Sequence, residues 1–481
     1  MKEGIFYITP TIPYVNADPH IGFALEVVQA DAMARFRRSR GDEVFFNTGT
    51  DEHGLKIYRK ALEAGKDPQV YVDELAVRYQ ALNKALNLSE SNFIRTTDAV
   101  HIKAAQEFWR LCNENGDIEK KLYKIKYCVG CELEKTDSEL VGGRCPLHVN
   151  QDIETIEEEN YFFKFSSYKD RLLKFYNENQ NFVTPESRFR EIKNFIEAGL
   201  QDFSISRLKE KMPWGVPVPG DDKHVMYVWF DALVNYISTL GWPKAKKEFE
   251  KWWPGVQVAG KDQVRQQAAM WQAMLMSAGL PTSDRIFIHG FININGQRMS
   301  KSSGNVVDPF TLVDKYGADT VRYYLLRDIA SDEDGDFSEA RLKERYNADL
   351  ANGLGNFASR VSTLGEGIDF ADFEVEAGIQ DQITEVTADV AGSVDKFRLH
   401  EAVARIWALI QYGDGYVNEH KPWENRDGQI IFNLVHLLYS IANLVEPIVP
   451  KASGKIKAAF TLTGGRITSI KKVESLFPRL Q

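Results

Sequence analysis

The strongest local chemical signal in the chain is a set of four residues at metal-ligand spacing. Cys128 and Cys131 are two residues apart, and after thirteen more residues Cys145 and His148 repeat that interval. Three thiolates and one imidazole suit tetrahedral zinc, and four protein ligands leave no position open for water, so the ion expected here is structural. Three further stretches could handle charged ligands. Pro19-His20-Ile21-Gly22-Phe23 falls at a turn from a strand into a helix, where free N–H groups and the helix dipole favour phosphate. Gly22 would let a ligand approach the backbone, and His20 could donate to a phosphoryl oxygen. Thr48-Gly49-Thr50-Asp51-Glu52-His53-Gly54 offers Asp51 either as a carboxylate for an ammonium group or, more plainly, as the cap of a helix beginning near Gly54. The run from Gly296 to Asn305 sets Arg298, Ser300 and Lys301 among glycine and serine, a composition suited to a transferring polyphosphate.

These residues need elements to hold them. Gly4 to Thr9 reads as a strand stopped by Pro10, Ala24 to about Arg40 as an amphipathic helix, and Glu43 to Phe46 as a second strand leading into the Asp51 stretch. Strand, helix, strand is the signature of a parallel sheet covered by helices. The texture from Cys128 to Tyr161 is short and turn-rich, like an insertion. The strand–helix rhythm resumes near Tyr227, Val256 and Arg285. Beyond about Asp336 strands are no longer expected. Leu342–Leu364, Leu399–Glu419 and Gln429–Val449 carry the three- and four-residue spacing of a helix bundle. Cys112, in the apolar-periodic FWRLC, reads as a core thiol.

Composition sets outer limits. The 481 residues are 43% hydrophobic and 26% charged, which excludes a disordered or fibrous chain, and 59 basic against 68 acidic residues give a net charge of −9. Nucleic acid would therefore have to be met by a local basic patch. Seven basic residues against Glu474 in the last 31 positions are one candidate. The apolar run from Ile430 is interrupted by Asn433, His436, Asn443 and Glu446, so no membrane span is expected. Four cysteines and a start without secretory character point to a reducing cytoplasm.

Taken in order, PHIGF, TGTDEHG, a knuckled insertion, RMSKS and a helix bundle resemble the methionyl-tRNA synthetases, a family of class I aminoacyl-tRNA synthetases. The resemblance runs from TPTIPYVNADPHIG to LFPRL. It implies an α/β Rossmann-like parallel-sheet catalytic domain in two halves (1–115 and 201–335), split by a zinc-knuckle insertion (116–200) and followed by an α-helical anticodon-binding bundle (336–481). The activity implied is ligation of L-methionine to tRNA(Met) through a methionyl-adenylate made from ATP. His20 and Gly22 of the HIGH-like motif, with Arg298, Ser300 and Lys301 of the KMSKS-like loop, would handle ATP and its Mg²⁺. Ile12, Tyr14, Asp51, Trp229 and Tyr236 match methionine-pocket positions, with Asp51 on the ammonium. Arg207 matches an arginine needed for activation. Asn356, Arg360 and Trp423 match readers of the CAU anticodon. Cys128, Cys131, Cys145 and His148 match a one-zinc subtype. Because the sequence stops after the bundle, the dimerising tRNA-binding domain appended in some members is not expected, and a monomer is.

Three departures from the family pattern stand out. Phe23 stands where the HIGH motif has its second histidine, and Arg298 replaces the first lysine of KMSKS. After Gly260-Lys261-Asp262, Gln263, Gln266 and Gln267 stand where an apolar, aromatic and histidine-bearing helix start is usual. Buried amides need partners, so the glutamines must find some. The departures leave two alternatives open: a class I synthetase of altered amino-acid choice, and a catalytically inactive tRNA-binding paralogue.

Overall fold

The computed structural model describes residues 3–131, 133–135, 139–294, 296–299 and 306–480. They form two compact units. One comprises 1–19, 44–81 and 90–288, the other 20–43, 82–89 and 289–481.

The first unit is built on a six-stranded sheet. β1 (Ile5–Pro10), β2 (Glu43–Thr50) and β3 (Asn92–Arg95) occupy one side in the order β3-β2-β1, and the order continues through strands Val256–Gly260, Arg285–His289 and Val183–Thr184. Pairing is parallel between β1 and Val256–Gly260, between β2 and β3, and between Arg285–His289 and Val183–Thr184. The chain moves outward from β1 to β3, then later starts again on β1's other edge. That reversal opens a crevice past the carboxyl ends of β1 and Val256–Gly260, the usual ligand site of such a sheet. Continuous burial along Phe6–Pro10 and Val256–Gly260 fits strands covered on both faces. Cys112 is fully buried in this core, and burial pushes its thiol up to about 12.

The expected insertion is a four-stranded antiparallel sheet. Ile118–Cys128 pairs with Glu154–Phe163 over ten residues and with Leu133–Lys135, and Phe203–Ser204 completes it. The metal-spaced residues sit at its far turn.

The second unit carries the helix α1 (Ile21–Ser39) and the bundle helices, among them Leu399–His420 and Gly428–Val445. Gly428–Val445 is long and apolar enough to span a membrane, but most of its apolar residues from Ile431 to Val445 are buried. The expectation of no strands beyond Asp336 is corrected by a hairpin, Phe460–Thr463 with Arg466–Ile470. Its two-residue turn is Gly464-Gly465, both at positive φ, the geometry that matches the twist of paired strands. Neither strand buries a full face, so the alternation that marks strands in sequence is weak here.

A buried ion pair fastens α1. Arg322 and Asp31 are both fully buried, with Nη2 2.6 Å from Oδ2. Arg322 also donates to the carbonyls of Ile448 (3.0 Å) and Pro447 (2.7 Å), while Asp31 takes Arg35 Nε (2.8 Å) and both the amide and hydroxyl of Ser89. Burial alone would raise the Asp31 carboxyl, but Arg322 and Arg35 hold it below the usual carboxylate range. Its share of stability is therefore present above the unfolded carboxylate's pKa and lost as pH falls through the lower folded value. Asp31→Ala leaves Arg322 charged, buried and unpaired, and is expected to cost about 3–5 kcal/mol in urea unfolding. A loss below about 1 kcal/mol would show that the pair does not anchor the helix.

Candidate active site

In the second unit, His20 is the N-cap of α1. Its Nδ1 accepts from the amides of Gly22 (3.1 Å) and Phe23 (3.4 Å). An accepting Nδ1 places the neutral ring's proton on Nε2, so the cap also fixes the tautomer that can donate to a phosphoryl oxygen. Gly22 is required by this arrangement. A Cβ there would stand 3.0 Å from His20 Cε1 and Nδ1 and 3.4 Å from Met299 Cε. Phe23 turns its ring into the protein and is buried. Of the expected KMSKS-like residues, Ser300 and Lys301 lie outside the described residues, and Arg298 ends the short strand Gln297–Arg298.

The residues expected around the amino acid all belong to the first unit. Ile12, Asp51 and Tyr236 are buried, and Tyr14 and Trp229 are half-buried. The stretch carrying Ile12 and Tyr14 is tied to Asp51 through the backbone. Asp51 N–H donates to Pro13 O (2.9 Å), and Val15 N–H donates to Asp51 O (3.0 Å). Asp51 is not the cap of the helix that follows: Leu55–Glu63 starts at Gly54, φ 113°, without a side-chain cap. The neighbour of Asp51, Glu52, is fully buried and takes Arg95 in a fork, Nε–Oε1 2.7 Å and Nη2–Oε2 2.9 Å, together with the Thr50 hydroxyl at 2.6 Å.

Past strand Asp221–Met226 the chain turns into two short helices, Val228–Ala232 with Trp229 and Asn235–Ser238 with Tyr236. Arg207 is buried beside them. Its Nη1 donates to Ser204 Oγ (2.6 Å) and Ser206 O (2.7 Å), and its guanidinium carbon lies 4.3 Å from the Tyr227 ring centre and 5.3 Å from that of Tyr127. Stacking on two aromatic rings suits a cation whose plane must be fixed.

The glutamines that break the family pattern divide. Gln267 Nε2 donates to the Tyr236 hydroxyl, so one amide finds its partner on a pocket residue. Gln263 Nε2 lies 3.4 Å from Asp262 Oδ2. The Oε1 atoms of Gln263, Gln266 and Gln267 have no hydrogen-bond partner among the described residues, nor has Trp229 Nε1. Gln266–Met270 forms a π-helical turn, a local widening often found where a helix lines a functional site.

Sequence reasoning missed a buried group beneath this pocket. Asp231, His53, His101 and Ser238 form one chain: His53 Nδ1 to Asp231 Oδ2 at 2.8 Å, His101 Nε2 to Asp231 Oδ1 at 2.8 Å, and His101 Nδ1 to Ser238 Oγ at 2.9 Å. His53 lies in the polar TGTDEHG stretch and His101 48 positions later in helix Ala99–Glu114, and no local pattern joins either to Asp231.

At the insertion's turn, Cys128, Cys131, Cys145 and His148 present ligand atoms within 4.8 Å of one another. Cys131 Sγ is 3.4 Å from Cys145 Sγ and 3.2 Å from His148 Nδ1, and Cys128 Sγ is 3.8 Å from His148 Nδ1. Those spacings are close to the edges of a tetrahedron around zinc, about 3.5–3.8 Å for the usual bond lengths. Gly130 has no room for a side chain, because a Cβ would meet the His148 ring at 2.4 Å. The four residues can hold a metal ion.

In the bundle, Asn356 and Arg360 are one helical turn apart on Asn356–Gly365. Arg360 Cζ stands 5.9 Å from the centre of the exposed Trp423 ring, and Nη2 donates to Asn418 Oδ1 (3.0 Å). Lys421, in the left-handed conformation, ends Leu399–His420 and starts the turn that presents Trp423. Asn356 also lines a cavity of about 720 Å³ with Lys472, Phe477 and Arg479 of the C-terminal segment. The structure thus ties Tyr14 to Asp51 and packs Tyr14 and Trp229 against one cluster, sets Tyr236 in the larger core, and in the bundle brings Arg360 beside Trp423 with Asn356 one helical turn away.

Gly22→Ala should push the His20 ring from its cap and lower kcat for ATP-dependent amino-acid activation about 10- to 100-fold, with the amino-acid KM little changed. Wild-type kcat would show that the cap geometry is dispensable.

The chain is similar to known proteins over nearly its whole length. Residues 6–155 and 148–362 match the family model for tRNA synthetases class I (M). A methionine–tRNA ligase of Thermotoga maritima is 42% identical over 477 residues, covering 94% of this chain and 74% of the relative. One from Brucella suis is 40% identical over 474 residues, covering 95% and 92%. A solved Mycobacterium tuberculosis methionyl-tRNA synthetase in complex with methionyl-adenylate superposes with a TM-score of 0.92 at 36% identity, covering 99% of this chain and all of that one. Motif order, parallel-sheet core, helical bundle and these near full-length likenesses together place the chain in the methionyl-tRNA synthetase family of class I.

Proposed function

We propose that the chain is a methionine–tRNA ligase in which the first unit's residues recognise the amino acid and the second unit's signatures handle ATP. The observation that carries the reading is that Tyr14, whose stretch is hydrogen-bonded to the backbone of Asp51, packs with Trp229 against one apolar cluster. Asp51 takes the methionine ammonium by a charge-assisted hydrogen bond. Ile12, Tyr14, Trp229 and Tyr236 supply apolar and aromatic shape for a thioether, which offers few polar handles. Arg207, with its guanidinium plane fixed, positions the activation machinery.

The chemistry needs no protein nucleophile. A methionine carboxylate oxygen attacks the α-phosphorus of ATP, the bond to the bridging oxygen breaks, and pyrophosphate leaves with its electron pair. A ribose hydroxyl of the tRNA 3′-terminal adenosine then attacks the acyl carbon, the bond to the phosphate oxygen breaks, and AMP departs with the hydroxyl's proton on its phosphate. Catalysis rests on positioning and on stabilising charge at the phosphorus. His20, Gly22, Arg298, Ser300 and Lys301 are the residues we assign to the triphosphate. Mg²⁺ accompanying ATP shares that charge. Asn356, Arg360 and Trp423 read the unstacked anticodon, as arginine and aromatic planes commonly do.

Cys128, Cys131, Cys145 and His148 hold one structural zinc, which fixes the fold of the knuckle. The proposed division of the chain is a catalytic domain in halves 1–115 and 201–335, an insertion 116–200 and a bundle 336–481. One chain carries every residue in this scheme, which supports a monomer as the working unit. Free thiols at the knuckle suit a reducing cytoplasm.

Charging of a CAU-anticodon tRNA tests the reading. Trp423→Ala should lower kcat/KM for charging about tenfold or more, the worth of one lost base stack, and leave adenylate formation within about twofold. Equal losses in both would make Trp423 structural. Metal analysis should find about one zinc per chain, lost in Cys145→Ala. A ratio near zero in wild-type protein would contradict the four-ligand site.

A further inference from the structure

We propose that Asp231 is a positioning residue for methionine, setting the Asp51 loop against the helices that carry Trp229 and Tyr236 through the chain His53–Asp231–His101–Ser238. The inference rests on the pocket assigned above.

Four segments meet in this chain, and three of them carry pocket residues. His53 is two residues after Asp51, Asp231 is two after Trp229, and Ser238 is two after Tyr236. His101 comes from helix Ala99–Glu114 and closes the chain onto Ser238. All four side chains are buried, and Asp231 and His101 fully so. An ionised carboxylate only accepts hydrogen bonds, so His53 Nδ1 and His101 Nε2 both carry protons toward it. Burial would raise the Asp231 carboxyl, yet the two imidazoles hold it below the usual range, so it stays ionised in its apolar setting.

None of these groups belongs to the reaction proposed above, which uses no base. A buried, fully paired network is costly to leave half-satisfied, and so it specifies one arrangement of the segments it joins. The neighbouring contacts fix Asp51 in other directions. Its backbone is tied to Pro13 and Val15, Glu52 is tied to Arg95, and the Trp214 indole donates to Glu52 O at 2.6 Å. Among the described contacts of the loop, the one from His53 to Asp231 reaches the Trp229 helix. Distance between the ammonium-binding carboxylate and the aromatic wall should therefore depend on it. Methionine spans that distance, and ATP does not.

Asp231→Asn keeps shape but offers an amide N–H to one of two N–H donors. In methionine-dependent ATP–pyrophosphate exchange it should raise the methionine KM about tenfold and leave the ATP KM within about twofold. A methionine KM within about twofold of wild type, or equal rises in both constants, would overturn the proposal. If Asp231→Asn does not fold, the histidines decide. In His53→Asn the amide nitrogen can stand where Nδ1 stood, and in His101→Gln where Nε2 stood. Each should recover most of the methionine affinity lost in His53→Ala or His101→Ala, and conservative and alanine variants behaving alike would refute the role. Wild-type protein in the same series separates the two ideas: no methionine-dependent exchange there would fault the pocket assignment, not the chain beneath it.

Discussion

A carboxylate that binds an ammonium group must stay ionised and stay still, and the residues beside it must meet both demands without competing for the ligand. In TGTDEHG that division is made within three consecutive positions. Asp51 is fastened through its backbone to Pro13 and Val15, and the helix after it starts without a side-chain cap. Glu52 is fully buried and neutralised by the Arg95 fork, and His53 reaches the buried Asp231. Each neighbour carries a charge or an imidazole that would be costly to bury alone and is paired elsewhere. Around this loop, the stretch of Ile12 and Tyr14 is joined through the Pro13 and Val15 bonds, the helix carrying Trp229 through His53 and Asp231, and Tyr236 accepts from Gln267.

The ATP side uses the same economy in a different form. His20 serves as a helix cap, and that local bond dictates which ring nitrogen carries the proton. The helix it begins is anchored further along by Asp31 and Arg322, two charges that stabilise only as a pair. Phe23, which stands where the motif has its second histidine, lends its amide to the cap and its ring to the core. At that position the departure from the family motif is accommodated by packing.

Much of this was legible in the sequence because it is local. Helix Leu399–His420 was set by apolar spacing, the parallel sheet by strand and helix alternation, and the zinc knuckle by paired intervals. Asp51, Trp229 and Trp423 were legible only through the family pattern, since nothing in a lone aspartate or tryptophan distinguishes a ligand from a surface residue. What escaped was long-range or weakly patterned. His53, His101 and Asp231 meet from positions up to 178 apart, and no periodicity encodes that meeting. The partner of Gln267, Tyr236, is 31 residues away across a loop. The hairpin at Phe460–Ile470 was hidden because its strands alternate weakly, although Gly464-Gly465 was a turn signal in plain sight.

The central claim is that a pocket built from Ile12, Tyr14, Asp51, Trp229 and Tyr236 selects methionine for adenylation, with Gln267 tolerated in its wall. ATP–pyrophosphate exchange across the twenty standard amino acids, with a no-amino-acid control, tests it most directly. The account predicts exchange with methionine alone. Exchange driven by a different amino acid, or none from folded, zinc-replete protein, would contradict it.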